Sequence, residues 1–173
     1  MKLAQVLLIP YLLILTGSRS FSQERPIHEV YSMMIFNFIK YTQWPENEPK
    51  TEFVIGVVGN SDVYATMTAS YGHKPFRGNK TIEIRKFKNA SEVTDCEVVF
   101  IDKSKSAEFE AILEKVKGKG TLIITDYRGL GARGSCINFR VVDGKLQFEI
   151  NKRAVESANL KLASALISMA ILI

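Results

Sequence analysis

The sequence is poor in the residues on which most site chemistry is built. It has two cysteines, two histidines and one tryptophan in 173 residues. It contains no Cys-x-x-Cys, no His-x-x-x-His and no carboxylate cluster at ligand spacing, so nothing in it points to a metal centre. No serine sits in a Gly-x-Ser-x-Gly elbow. His28 and His73 fall in unrelated segments and read as ordinary side chains rather than as half of a Cys-His nucleophile pair. No catalytic residue and no cofactor is therefore expected. Low-complexity tracts and internal repeats are absent too. The longest apolar run, from Leu3 to Leu15, is interrupted by Gln5 and Pro10. At about 13 residues it is short of the roughly 20 needed to span a bilayer.

That run has another use. Met1-Lys2 is a short basic opening, and Ser20 and Ser22 are small residues at the spacing a signal peptidase reads. The expectation is a signal peptide over residues 1–22, cut after Ser22, rather than a retained anchor. The lack of a nearby cysteine excludes a lipoprotein. Removing 22 residues leaves 151 and takes away Lys2 and Arg19 but no acid, which lowers the net charge from +5 to +3. So small an excess argues against nucleic acid as a partner. Export also argues against ATP or NAD chemistry. At 46% hydrophobic and 24% charged, the chain has the composition of a globular domain. Residues 23–173 are expected to form one.

Residues 27–43 predict a first helix, with Ile27, Val30, Tyr31, Met34, Ile35, Phe38 and Ile39 at three- and four-residue steps. Pro45 ends it at Trp44. Residues 53–58, 97–101 and 121–125 are short apolar runs of the kind found in strands covered on both faces. Residues 81–85 alternate and predict an edge strand. A helix capped by Asn60 or Ser61 is expected to run to about Tyr71. Another, capped by Ser104 or Ser106, presents Phe109, Ile112, Leu113 and Val116, with Gly118 just past its end. Asp143-Gly144 between two strand-like runs is a hairpin signal. Asn151 can cap a short helix, and Leu162, Ala163, Leu166, Ile167, Ala170 and Ile171 suggest a final amphipathic one. Strands alternating with helices imply βαβ units. The expected fold is a three-layer α/β/α sandwich with a mainly parallel sheet, a C-terminal antiparallel hairpin and a final helix.

Candidate contacts follow from that topology, because α/β sheets bind ligands at the carboxyl ends of their strands. This edge would gather Asn60 and Ser61, residues 102–104, and residues 126–128. Gly56-Val-Val-Gly59 lies where a phosphate loop would, but lacks the rest of that pattern and reads better as a tight turn. The loop 126–134 holds three glycines. Its Asp126, Arg128 and Arg133 are candidates for a partner or anion contact, and equally for a solvated connector whose arginines pair with local acids. Trp44 and its aromatic neighbours admit a partner anchor, though such residues are more often core. Cys96 and Cys136 are expected not to bond, on the argument that they lie at opposite ends of the sheet, farther apart than a disulfide allows.

Residues 35–45, with Asn37, Phe38 and Trp44-Pro45, resemble the N-terminal signature of the YfiR/HmsC family of periplasmic proteins. Gly134 and Phe139, then Asp143-Gly144, then Phe148 and Asn151, then residues 158–162, resemble its C-terminal pattern in order and spacing. Residues 96–101 are similar to its central strand. The resemblance implies regulation without catalysis. The best-known members are periplasmic repressors. They hold inactive a membrane-anchored diguanylate cyclase by binding its periplasmic sensing region, and an outer-membrane protein can sequester them. Biofilm output through cyclic-di-GMP would be the consequence. Other members would serve sensor kinases, and a homodimer fits the family. Some relatives carry two disulfides, whereas each cysteine here would be a half without its partner. The alternative expectation is a periplasmic sensor that binds a small molecule.

Overall fold

The computed structural model describes residues 25–45, 50–59 and 62–173. The expected signal peptide lies outside them, as do Asn60 and Ser61. The first helix, α1 (Ile27–Lys40), starts after Pro26 and buries Ser32, Ile35, Phe38 and Ile39. It stops three residues earlier than its periodicity suggests. The Thr42 hydroxyl donates to the Phe38 carbonyl at 2.7 Å. The Arg77 guanidinium donates to the carbonyls of Ile39 and Thr42 at 2.7 and 2.6 Å. Those bonds take over carbonyls that lack a partner at a helix end. The chain then extends into β1 (Thr42–Gln43), which pairs antiparallel with β9 (Lys161–Leu162).

The main sheet has eight strands in the order β10-β8-β7-β6-β5-β2-β4-β3. They are β2 (Glu52–Val58), β3 (Pro75–Phe76), β4 (Lys80–Phe87), β5 (Val98–Ile101), β6 (Leu122–Thr125), β7 (Ile137–Val142), β8 (Lys145–Ile150) and β10 (Ile171–Leu172). The central strands β7, β6, β5, β2 and β4 run parallel, while β3, β8 and β10 run opposite to them. The fold is α/β with a mixed sheet. The expected edge strand is β4, and it is not the edge: it lies between β2 and the two-residue β3. Its alternating burial persists because so short a neighbour covers little of it.

Three other expectations change. Asp102, not Ser104 or Ser106, caps the segment after β5: its carboxylate accepts from the Ser104 N–H at 2.9 Å. That segment begins as 3-10 turns (Lys103–Glu108) before α3 (Phe109–Val116). The final amphipathic helix is a single turn, α5 (Ser164–Ile167), between β9 and β10. Its apolar residues serve the sheet instead. Ile171 and Leu172 align with Glu149 and Ile150, and the Ile173 N–H donates to the Ile150 carbonyl at 3.0 Å. The outer edge of β8 would otherwise present unpaired backbone groups. Isoleucine also favours extended geometry. The hairpin therefore does not end the sheet, since β10 lies beyond it. The turn itself is as expected, with positive φ at Asp143 (50°) and Gly144 (73°), as a type I′ turn requires. Asn151 caps α4 (Lys152–Ser157) by accepting from the Ala154 N–H at 3.0 Å.

An aromatic cluster joins α1 to the sheet. Tyr31 stacks on Phe139 with ring centroids 4.3 Å apart, and Phe38 lies 4.9 Å from Phe148. Phe100 adds a further contact with Tyr31 at 6.0 Å. The helix α2 (Val63–Tyr71) packs beside α1, with Phe36 stacked on Tyr71 at 4.0 Å. On the other face, α3 and α4 pack over Ile123 and Cys136 around a cavity of about 360 Å³. Phe139 is 3% exposed and touches Tyr31, Phe38 and Phe100. Phe139→Ala should cost about 3–5 kcal/mol of stability, read as a lowered urea midpoint with little change in slope.

Candidate binding cleft at the carboxyl edge of the sheet

The parallel strands deliver their carboxyl ends to one edge. At the end of β2, Gly59 has φ 116°, and a Cβ there would come within 2.9 Å of the Asp102 Cβ. Only glycine lets the backbone leave β2 so close to the segment after β5. Gly56 answers a different need: a Cβ would meet Phe87 at 2.7 Å and the Cys96 Sγ at 3.2 Å. The Gly56–Gly59 spacing is thus explained by packing.

Past β6, Asp126 turns in beside Asp102 and Lys103. Its Oδ1 is buried and has no hydrogen-bond partner. Desolvation pushes the Asp126 carboxyl up to about 7, and the Asp102 carboxylate adds to the effect. The Lys103 backbone N–H and ammonium pull the other way. Burial likewise raises the Tyr31 hydroxyl to about 12, with Asp126 and Asp102 contributing. Tyr31 and Asp126, together with Arg128, Phe139, Arg140 and Asp143, line a cleft of about 460 Å³ between α1 and the hairpin. Arg140 is committed to Glu149, at 2.7 Å. Arg128 is exposed on the rim and forms no ion pair with the described residues.

The two loop arginines, grouped by sequence, are divided by the fold. Arg133 lies on the opposite face, where its Nε donates to Glu110 at 2.8 Å and its guanidinium sits over Phe109. It borders the α3–α4 cavity and pairs with a local acid. Nothing in the sequence assigns Tyr31, Phe139 and Arg140 to this cleft. The apolar stripe of α1 identified Tyr31 as core, and no sequence signal joins that helix to β7.

Behind the cleft, buried Thr125, Ser135, Asn138 and Glu149 and half-buried Asn151 hold the loop. The Thr125 hydroxyl donates to Asn138 Oδ1 at 2.7 Å, and the Ser135 hydroxyl donates to the Ile137 carbonyl at 2.8 Å. The Asn138 amide donates to Glu149 Oε2 at 3.0 Å. Asn151 donates to the Gly131 carbonyl at 2.8 Å.

The remaining signature residues lie elsewhere. Trp44 donates from Nε1 to the Glu97 carbonyl at 3.2 Å, meets Phe53 edge-on and lies under Arg77. Pro45 is exposed and Asn37 half-buried. Gly134 has φ 121°, and a Cβ there would press on Leu113 at 3.1 Å. His28 and His73 are separated, near Asp62 and Glu83 respectively. Among the described residues, no three His, Cys, Asp or Glu side chains group as metal ligands.

Both cysteines are free, buried thiols, but the topological reason given for their separation is corrected. Because β7 runs parallel to β6, Cys136 precedes its strand just as Cys96 precedes β5, and the two are not at opposite ends. The intervening β6 separates them instead. Two strand spacings are about 10 Å, against the roughly 7 Å limit for bonded Cα atoms.

The chain is thus an α/β domain with a cleft at the carboxyl edge of its parallel strands. The profile of the YfiR/HmsC-like family matches residues 28–171. The chain belongs to this family. No curated protein matches it. Solved structures share the fold, two of them as follows. A conserved domain protein from Vibrio cholerae O1 biovar El Tor is 12% identical, with a TM-score of 0.57, over 84% of this chain and 59% of that one. The ABC domain from Streptococcus pneumoniae, solved in complex with L-Trp, is 10% identical, with a TM-score of 0.55, over 84% of this chain and 60% of that one. The chain therefore spans about 60% of either structure's length, and at such identities the likeness is one of fold.

Two predictions follow from the buried titratable groups. Asp126 binds its proton more tightly folded than unfolded, so its contribution is most favourable below about pH 4 and is lost as pH rises to about 7. Asp126→Asn should abolish that decline and be more stable than the parent at pH 8, on the order of 2 kcal/mol after solvent screening at this partly open edge. Thermal unfolding at pH 4, 6 and 8 measures it. Burial raises both thiols to about 11. A disulfide reagent should therefore react slowly with the native protein and titrate two thiols in denaturant.

Proposed function

We propose that this protein is a non-enzymatic periplasmic regulator. It would bind the extracytoplasmic sensing region of a membrane signalling protein, a diguanylate cyclase or a sensor kinase, and hold it inactive. Family membership over residues 28–171 carries this reading, because the YfiR/HmsC-like family points to periplasmic regulators. In this reading residues 1–22 are a cleaved signal peptide and residues 23–173 a single layered α/β domain. Among the described residues, no helix is long and apolar enough to cross a membrane. Repression would work as a population shift, with binding favouring the receptor's inactive state. Cyclic-di-GMP and biofilm output would follow, and an outer-membrane protein could remove the repressor by sequestration. Exposed Asp126 loop residues, Arg128 among them, are candidate contacts.

A second reading is a sensor that binds a small molecule. The cleft with its unpartnered Asp126 oxygen favours it, and the fold likeness to a domain solved with L-Trp is compatible with it.

Tagged mature protein should recover one membrane signalling protein from detergent-solubilised membranes of its own source. Deleting the gene should raise that receptor's output several-fold. Recovery of no membrane protein, with receptor output unchanged by the deletion, would overturn the regulatory reading.

A further inference from the structure

Three acids lie in or beside the sheet, Glu97 and Glu149 buried and Asp126 half-buried, and the first two are fully engaged. Glu97 accepts from Lys50 at 2.9 Å and from the Val54 N–H at 2.7 Å. Glu149 accepts from Asn138 and Arg140. Asp126 differs: its Oδ1 is buried and unpartnered, and the residue lines a cleft of about 460 Å³. A buried acceptor left unpaired costs free energy that a bound donor can recover. The neighbouring charges indicate which donor. Asp102 stands close enough to oppose ionisation of Asp126, and Asp143 is at the cleft's hairpin side. Of the nearby cations, Arg140 is neutralised by Glu149, which leaves Lys103 and the rim residue Arg128. The wall is aromatic, formed by Tyr31 stacked on Phe139. A cation beside an aromatic ring and a carboxylate is favoured on both counts.

We propose that the cleft between Tyr31, Asp126 and Phe139 binds the ammonium head of a small organic amine, with the Asp126 carboxylate as its acceptor. This deepens the second reading above and rests on it. The amine brings N–H donors and a positive charge to the Asp126 carboxylate, where Asp102 adds to the negative field, and its carbon body lies against the aromatic wall. Ionised Asp126 is the binding form. Since its carboxyl titrates near 7, with Asp102, Lys103, Tyr31, Arg128, Arg140 and Asp143 as the charged or titratable groups around it, affinity should rise with pH through that range.

Three probes that share a ring separate the ligand chemistries: tyramine, 4-hydroxyphenylacetate and tyrosine, with putrescine as an aliphatic amine. Amide signals of the isotope-labelled protein are followed during titration. The expected result is that an amine shifts signals around Tyr31, Asp126 and Phe139. Binding should be about tenfold weaker at pH 6 than at pH 8, and at least tenfold weaker in Asp126→Asn. Arg128→Gln, a rim change that leaves the core intact, should bind amines equally or more tightly. Undiminished amine binding by Asp126→Asn, or a tenfold loss in Arg128→Gln, would overturn the assignment. Shifts caused only by 4-hydroxyphenylacetate or tyrosine would also overturn it, while leaving a solute site at this edge. Silence from all four probes would overturn both the assignment and the sensor reading, without touching the regulatory one.

Discussion

The structure turns on how the chain passes from β6 to β7. The two strands are parallel, with Ile124 beside Ile137, yet only residues 126–136 connect them. Parallel neighbours ordinarily need a crossover of a dozen or more residues, most often a helix. Here the loop folds back as successive turns: the Leu130, Arg133 and Ser135 N–H groups find the carbonyls of Tyr127 and Leu130. A path so tight brings polar groups into the interior, and each needs a partner there. Thr125, Ser135, Asn138 and Glu149 supply them. Gly131 must remain small, because a Cβ would come within 2.8 Å of Glu149 Oε2. Removing one of these groups would leave the others buried and unpaired, which costs more than the bond itself.

That return path explains why the loop's charged residues separate. Asp126 and Arg128 lie on the outgoing limb, at the carboxyl edge. Arg133 lies on the returning limb, across the sheet by α3. A linear reading saw one pliable loop with two arginines, since nothing local marks where a loop doubles back. Asp126 and Arg128 were legible because they directly follow a buried parallel strand. Tyr31 and Phe139 were not, because their meeting depends on α1 crossing β7, more than a hundred residues away in sequence.

Elsewhere, legibility follows how local the deciding force is. The Asp143-Gly144 turn, the Asn151 cap and the buried runs of β2, β5 and β6 are set by neighbouring residues, and the sequence displays them. The end of α1 is set by Arg77, and the C-terminal segment by the open edge of β8. Both are long-range claims on backbone groups. The residues after 162 carry a helical period, but β8 offers hydrogen bonds that an isolated helix of that length could not match. Propensity yields to the partner that is present.

The cleft inverts the logic of the rest of the molecule. Glu97 and Glu149 show that this fold can bury a carboxylate and satisfy it: each has a cation and a neutral donor within 3.0 Å. Arg128 lies on the same loop as Asp126, two residues on, yet forms no ion pair with it. If Arg128 closed onto Asp126, it would supply what those two acids receive, neutralise the site and fill the cleft. The arrangement instead keeps a carboxyl group largely desolvated beside an aromatic wall, and its neighbour Asp102 adds to the cost of ionising it. A fold that satisfies its other buried acids has little structural reason to maintain that cost. The position of the exception, at the strand carboxyl edge where α/β sheets take ligands, is the ground for the binding proposed for Asp126.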